Sequence, residues 1–122
     1  KTIEAAKIAG VQRYVMISSF DTTREAIQAA SESFAPYVIA KHYADAWLRA
    51  TDLDYTIIHP GRLTNEEPTG KIEAAEKVER NDIPRADVAR VILAVLENER
   101  TIGKEFQVVC GNVEITQAVA TL

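Results

Sequence analysis

Short runs of β-branched and apolar residues alternate along this chain with longer stretches whose apolar positions recur every three or four residues. Arg13–Ser18, Asp54–His59 and Phe106–Cys110 read as strands, the first as one buried on both faces. Pro60-Gly61 stops the second of these and Gly111 the third. Lys71–Ala75 reads as a further short strand. The clearest helix follows Pro84, where Val88, Val91, Ile92, Val95 and Leu96 share one face and Asp87 sits where it favours the helix N-terminus. Pro36 opens another helix that runs to about Ala50, with Ser33 as its N-cap. Ile115–Leu122 predicts a terminal helix. Ser19–Ser33 predicts a polar loop carrying a turn or two of helix around Thr23–Ala30, and Arg62–Gly70 a plain loop.

The chain opens at Lys1 inside what already reads as the last turns of a helix. Ile3, Ala6 and Lys7 keep helical spacing, and Gly10 stands at the expected C′ stop. The expectation is a chain that starts part-way through a domain; Thr2 as the N-cap of a short complete helix is the alternative. Strands alternating with amphipathic helices predict an α/β fold with a largely parallel sheet. Ligands of such sheets bind beyond the carboxyl ends of the strands. Ser18-Ser19-Phe20, His59–Leu63 and the residues after Cys110 are therefore the places to search for chemistry.

Composition narrows the function classes. At 122 residues, 47% hydrophobic and 26% charged, the chain is one globular domain or part of one. Fourteen Lys and Arg against eighteen Asp and Glu give a net charge of −4, which argues against a nucleic-acid or anionic-membrane binder. No apolar run approaches the roughly 18–20 residues of a membrane span. The single cysteine, Cys110, excludes an internal disulfide or a CxxC zinc site, so a reducing cytoplasm is the expected compartment. Cys110 reads as a small buried hydrophobe rather than a nucleophile. His42 and His59 are too few for most His-based metal sites. His42 is expected to face solvent or a partner helix, and Ala40, Ala44, Trp47 and Leu48 to form a stripe for the core or a subunit contact. Glu66-Glu67 and Glu73–Glu79 read as solvated faces without a convergent carboxylate pair.

Tyr37 and Lys41 carry the most specific chemistry. Four residues apart on a helix, they lie on one stripe. A tyrosine, with its usual pKa near 10, is a poor acid–base group at neutral pH, and a nearby ammonium stabilises its phenolate; the same ammonium can hold a ribose hydroxyl. Ser18-Ser19 offers hydroxyls at a strand's carboxyl end, and Gly61 after Pro60 permits close backbone approach.

Taken in order, these features resemble the C-terminal half of a short-chain dehydrogenase/reductase, and more closely its atypical NAD(P)-binding epimerase/dehydratase-like (NmrA-like) branch. The ordered set is a strand ending Ser18-Ser19, a loop, Tyr37-Val38-Ile39-Ala40-Lys41 opening a helix, Leu53–Thr64 around Pro60-Gly61, then Ile83–Ala89. The resemblance covers essentially the whole chain and implies a Rossmann-type doubly wound sheet in its C-terminal half, of a domain of roughly 200 residues. It implies Tyr37 as the acid–base phenol, Lys41 as its tuner and ribose ligand, and Ser19 as the catalytic hydroxyl. Ser18, Ser19, Tyr37, Lys41, His59, Pro60, Gly61 and Leu63 would line the cofactor. The implied function is an NAD(P)-dependent oxidoreductase or epimerase/dehydratase-like protein acting on a small carbonyl or alcohol, with NADP the expected cofactor and NAD the alternative. A non-catalytic NAD(P)H-binding redox sensor is the other reading. Two departures bear on this choice. Phe20 stands where active members often place a further Ser or Thr, and Gly10, Gly61, Gly70, Gly103 and Gly111 are too far apart for a GxGxxG phosphate cradle. Without the first half, the exposed surface is expected to make the chain unstable, swapped or homo-oligomeric, with the Tyr37–Ala50 helix as the contact face.

Overall fold

The computed structural model describes residues 1–122 and places thirteen elements along them. They are α1 (Thr2–Ala9), β1 (Arg13–Ile17), α2 (Arg24–Ala29), α3 (Ala35–Arg49), β2 (Asp54–Pro60), β3 (Arg62–Thr64), β4 (Lys71–Ala75), β5 (Asp82–Pro84), α4 (Arg85–Leu96), a 3₁₀ turn (Glu99–Thr101), β6 (Lys104–Cys110), β7 (Val113–Glu114) and α5 (Ile115–Ala120). The main sheet has the order β1-β2-β6-β4-β7. β1, β2 and β6 run parallel, with Val15 opposite Thr56 and Ile58 opposite Phe106. β4 joins antiparallel to β6, and β3 pairs with β5 in a separate two-stranded sheet. This is the α/β, largely parallel, Rossmann-like arrangement expected from the alternation of strands and helices.

Alternation along the strands divides the core in two. Ile58, Phe106 and Val108 face α4 and α5, packing with Ile83, Val88, Val91, Val95, Ala118 and Val119. Ile57 faces the other way and packs with Ile3, Leu48 and Leu53, flanked by Tyr14, Met16 and Tyr55. Arg13 pins the lower end of the sheet, donating to the Asp54 carbonyl at 2.7 Å, Thr56 Oγ1 at 2.9 Å and Thr101 Oγ1 at 3.0 Å.

Several expectations are corrected. β1 is half-buried throughout, because it has β2 on one edge and no strand on the other. The N-cap of α3 is Phe34 rather than Ser33, and no side chain caps it; Pro36 still falls in the first turn. Arg62–Thr64 is a strand rather than loop, held by Asp82–Pro84 across three paired positions. On α4, Leu96 points to solvent and Ala94 takes its place in the core. Asp87 is fully buried, but its carboxylate accepts from the amides of Thr69 and Gly70, both at 2.9 Å, and so fastens the β3–β4 connection to α4. The expected α3 stripe for core or subunit contact is divided rather than overturned: Leu48 is core, and Trp47 is exposed with Tyr43 and Ile39. No helix is long and apolar enough to cross a membrane.

Candidate functional site

The carboxyl end of β1 is where the chain gathers polar groups. β1 continues its ladder as far as Ser18, whose amide donates to the Ile58 carbonyl at 2.8 Å. The Ser18 hydroxyl turns inward and donates to Asp45 Oδ2 at 2.9 Å, and Thr22 Oγ1 donates to the same oxygen at 2.7 Å. Asp45 is fully buried on α3, and its other oxygen has no partner. Ser19, by contrast, is held through its carbonyl, and its hydroxyl is left without a partner in the chain. Of the two serines, only Ser19 therefore has a hydroxyl to offer a ligand.

Tyr37 and Lys41 share a stripe of α3, with Lys41 Nζ 5.8 Å from the centre of the Tyr37 ring. Nζ also donates to the Ile17 carbonyl at 3.4 Å, which ties the ammonium to the end of β1. The Tyr37 ring stacks on Phe34, with centroids 5.4 Å apart, and is 43% exposed. The ring is thus exposed on the surface of α3 rather than buried in the fold. Lys41 is the member of the pair that reaches the end of β1, where Ser18 and Ser19 follow.

The second predicted segment is assembled differently. His59 and Pro60 are buried at the end of β2, while Leu63 is 38% exposed on β3 and stands apart. At Gly61 the close approach that requires glycine is internal. A side-chain carbon there would meet the Asn81 carbonyl oxygen at 2.0 Å, so the space is filled by the lead-in to β5 rather than left for a ligand.

His59 is the centre of a charge network that the sequence did not reveal. Its Nδ1 lies 2.6 Å from the Ser19 carbonyl and its Nε2 2.6 Å from Glu105 Oε2. Arg49 clasps the same Glu105 with Nε at 2.8 Å and Nη2 at 3.1 Å. Burial pulls the imidazole pKa down, but the Glu105 and Ser19 contacts, with the field of Asp45, leave it above the ordinary histidine value. Burial likewise pushes the Glu105 carboxyl up, and the bonds from His59 and Arg49 outweigh it, holding that group at about 2. Asp45, His59 and Glu105 bring one donor atom each within 4.8 Å of one another, a spacing a metal ion could bridge. Both imidazole nitrogens already face oxygen acceptors, however, and Arg49 occupies Glu105. A cation would have to break this network, so the geometry favours a held imidazolium.

His42 is half-buried: its Nδ1 lies 2.6 Å from the Thr22 carbonyl, while the ring keeps partial exposure at the edge of a cleft. Cys110 is half-buried, and burial first, then nearby acidic groups, pushes its thiol pKa up, as suits an inert thiol. An open cleft of about 860 Å³ lies to one side, against Lys104–Gln107 of β6 and Ala74-Ala75 of β4, with His42 and His59 in its wall. Neither Tyr37 nor Lys41 lines it.

Asp45, Thr22, Glu105 and Gln107 were invisible to motif reading. The one available signal is register: His59 pairs with Gln107, so Ile57, His59, Glu105 and Gln107 share a sheet face.

A parallel sheet between helices, with Tyr and Lys at i,i+4 on a helix whose lysine reaches the carboxyl end of a strand, defines a Rossmann-like protein of the dinucleotide-binding class. Comparison with known proteins takes this further. A family described as NAD(P)H-binding matches residues 1–99, and the chain belongs to that family. It is 42% identical over 122 residues to the uncharacterized sugar epimerase YhfK of Bacillus subtilis, covering 100% of this chain and 56% of that protein. Among solved structures it is similar to a provisionally named NAD-dependent epimerase/dehydratase of Bacillus halodurans, at 37% identity and a TM-score of 0.92, covering 99% of this chain and 56% of the other. The oxidoreductase YlbE of Lactococcus lactis gives 34% identity and a TM-score of 0.89, covering 98% and 56%. The chain spans about half the length of the curated relatives it matches.

The residues present fit one half of a dinucleotide. Lys41 offers an ammonium at the end of β1 and Tyr37 an exposed phenol one turn earlier on α3, donors of the kind that ribose hydroxyls accept. No glycine-rich turn for the pyrophosphate exists among these 122 residues, whose five glycines are scattered from Gly10 to Gly111.

Proposed function

We propose that this chain supplies the catalytic side of an NADP-dependent oxidoreductase or epimerase acting on a small carbonyl or alcohol. The observation that carries the reading is Tyr37 and Lys41 on one stripe of α3, with the ammonium anchored to the Ile17 carbonyl, next to the serine pair in sequence, and the Tyr37 ring exposed beside that ammonium. The nucleotide, when bound, supplies or accepts the hydride at the substrate carbon. Tyr37 gives its phenolic proton to the substrate oxygen as a carbonyl is reduced and takes it back in the reverse direction. The Lys41 ammonium stabilises the phenolate left behind and holds a ribose hydroxyl. Ser19 donates a hydrogen bond to the same substrate oxygen, since the Ser18 hydroxyl is committed to Asp45.

A specific observation also supports a non-catalytic NADPH-binding sensor: Phe20 follows the serine pair, and its carbonyl and ring are held by Gln107 and Arg80, leaving a single free hydroxyl at the strand end. Tyr37→Phe, made in the full-length protein, separates the two. NADPH oxidation is followed with a panel of aldehydes and quinones, alongside nucleotide affinity. For the enzyme, turnover falls by a factor of about 100 or more while affinity changes little. Turnover that survives the substitution overturns the mechanism, and nucleotide binding without turnover in the parent protein establishes the sensor.

A further inference from the structure

The segment Ser18–Thr23 is held from several sides at once, and both histidines of the chain contribute. His59 Nδ1 meets the Ser19 carbonyl, Gln107 Nε2 donates to the Phe20 carbonyl at 3.0 Å, and His42 Nδ1 meets the Thr22 carbonyl. Asp45 collects the hydroxyls of Ser18 and Thr22 on one oxygen. The contacts come from α3, β2 and β6, so three elements fix the backbone that carries Ser19.

One of these contacts depends on a proton. At 2.6 Å on each side, His59 faces two acceptors that cannot donate, a peptide carbonyl and a carboxylate already clasped by Arg49. A neutral imidazole carries one N–H and satisfies only one of them. The carboxylate is the stronger acceptor and retains that proton, which turns the unprotonated Nδ1 toward the Ser19 oxygen, lone pair against lone pair. We propose that His59 is a positioning residue which, as the imidazolium, clamps the Ser18–Thr23 segment, and whose deprotonation releases that segment at the Ser19 carbonyl. The groups facing it are Glu105 of β6 and Asp45 of α3, with Arg49 beyond Glu105. Lys104, Lys77, Asp21, Glu25 and Glu76 stand round the adjoining cleft together with His42. The two carboxylates nearest the ring favour the charged form, which keeps the clamp closed into the pH range where an exposed histidine is already neutral.

The clamp itself stands on geometry, and only its effect on turnover rests on the catalytic reading of Ser19. The test is a pH titration from 5 to 9 that follows the imidazole resonances of both histidines together with ¹⁵N order parameters for residues 18–23. The expected result is that those order parameters fall from the rigid range near about 0.85 toward about 0.6, in step with the titration of His59. Glu105→Gln should bring both midpoints down together, whereas His42→Gln should leave the His59 midpoint in place. A segment that stays rigid while His59 loses its proton, or that follows His42 instead, overturns the proposal. If the segment loosens with His59 but NADPH-dependent turnover in the full-length protein is indifferent over the same pH range, the clamp stands and the catalytic role of Ser19 falls.

Discussion

Replacing Gly61 by alanine probes the tightest point beside the candidate site. A methyl group there would sit 2.0 Å from the Asn81 carbonyl oxygen and 2.9 Å from Val109 Cγ1, where ordinary contact begins near 3.4 Å. The Asn81 backbone would have to retreat by about 1.4 Å, taken as the difference between those distances. It cannot swing aside like a side chain, because β5 follows immediately and is paired to β3 at three positions. Gly61 is fixed from its other side by its own amide, which donates to the Val108 carbonyl at 2.9 Å. Overpacking against backbone belongs at the upper end of about 1–3 kcal/mol, and a weakened ladder bond adds about 1 kcal/mol, so the expected destabilisation is about 4 kcal/mol. Gly10→Ala is the internal control. Gly10 has φ 74° and nothing within 4 Å of a side-chain carbon, so only left-handed strain of about 1 kcal/mol is expected. Urea denaturation followed by far-UV circular dichroism measures both variants against the parent. If Gly61→Ala costs no more than Gly10→Ala, the close approach to Asn81 is not what requires glycine at this position.

Glu105→Gln should destabilise the protein in a pH-dependent way. The shift of Glu105 from 4.5 to about 2 corresponds to at most about 3 kcal/mol, which solvent at its 29% exposed side chain reduces to about 1–2 kcal/mol. Because that pKa is depressed, the contribution is present above pH 4.5 and lost as pH falls toward 2; because the His59 pKa is raised, its contribution is full below pH 6.5 and lost as pH rises through the raised value. Thermal melts of parent and variant should therefore differ most between about pH 4.5 and 6.5, and a constant difference down to pH 2 refutes the assignment. Leu48→Ala empties a fully buried position and should cost about 2–5 kcal/mol by chemical denaturation, whereas Trp47→Ala, at a residue 56% exposed, should cost the monomer less than about 1 kcal/mol. Ser18→Ala removes a buried bond to Asp45 and should cost about 1–2 kcal/mol of stability. Ser19→Ala should leave stability within about 0.5 kcal/mol while lowering NADPH-dependent turnover, and the reverse pattern would exchange the roles of the two serines.

What was legible in the sequence is what local periodicity encodes. The α4 stripe apart from Leu96, the Asp54–His59 run with its Pro-Gly stop, and the Tyr37/Lys41 spacing are each written within a few residues, and each reappears in the fold. The three-residue strands β3 and β5 leave no such pattern, since neither forms except against the other. The burial of β1 was overestimated for a related reason: apolar, β-branched composition marks a strand suited to a sheet interior but does not say how many neighbours it has. Ser33 looked like a cap because serine favours that role, yet the chain passes it by and starts α3 on Phe34 without any side-chain cap.

The charge network around His59 was illegible for a stronger reason. His59 and Glu105 are 46 positions apart, and they meet because β2 and β6 pair in parallel with Ile57 opposite Glu105 and His59 opposite Gln107. Their side chains then share the sheet face over which the Ser18–Thr23 segment folds back, and α3 adds Asp45 and Arg49 from above. No residue of the network occupies an unusual sequence context, and its chemistry exists only in the register. The difference between Ser18 and Ser19 has a local cause instead. Adjacent residues at a strand end point to opposite sides, so the hydroxyl of Ser18 reaches Asp45 while that of Ser19 stays free. The pairing of β2 with β6 adds the other half of the arrangement, because it brings Gln107, 87 residues along the chain, to the Phe20 carbonyl just beyond the two serines.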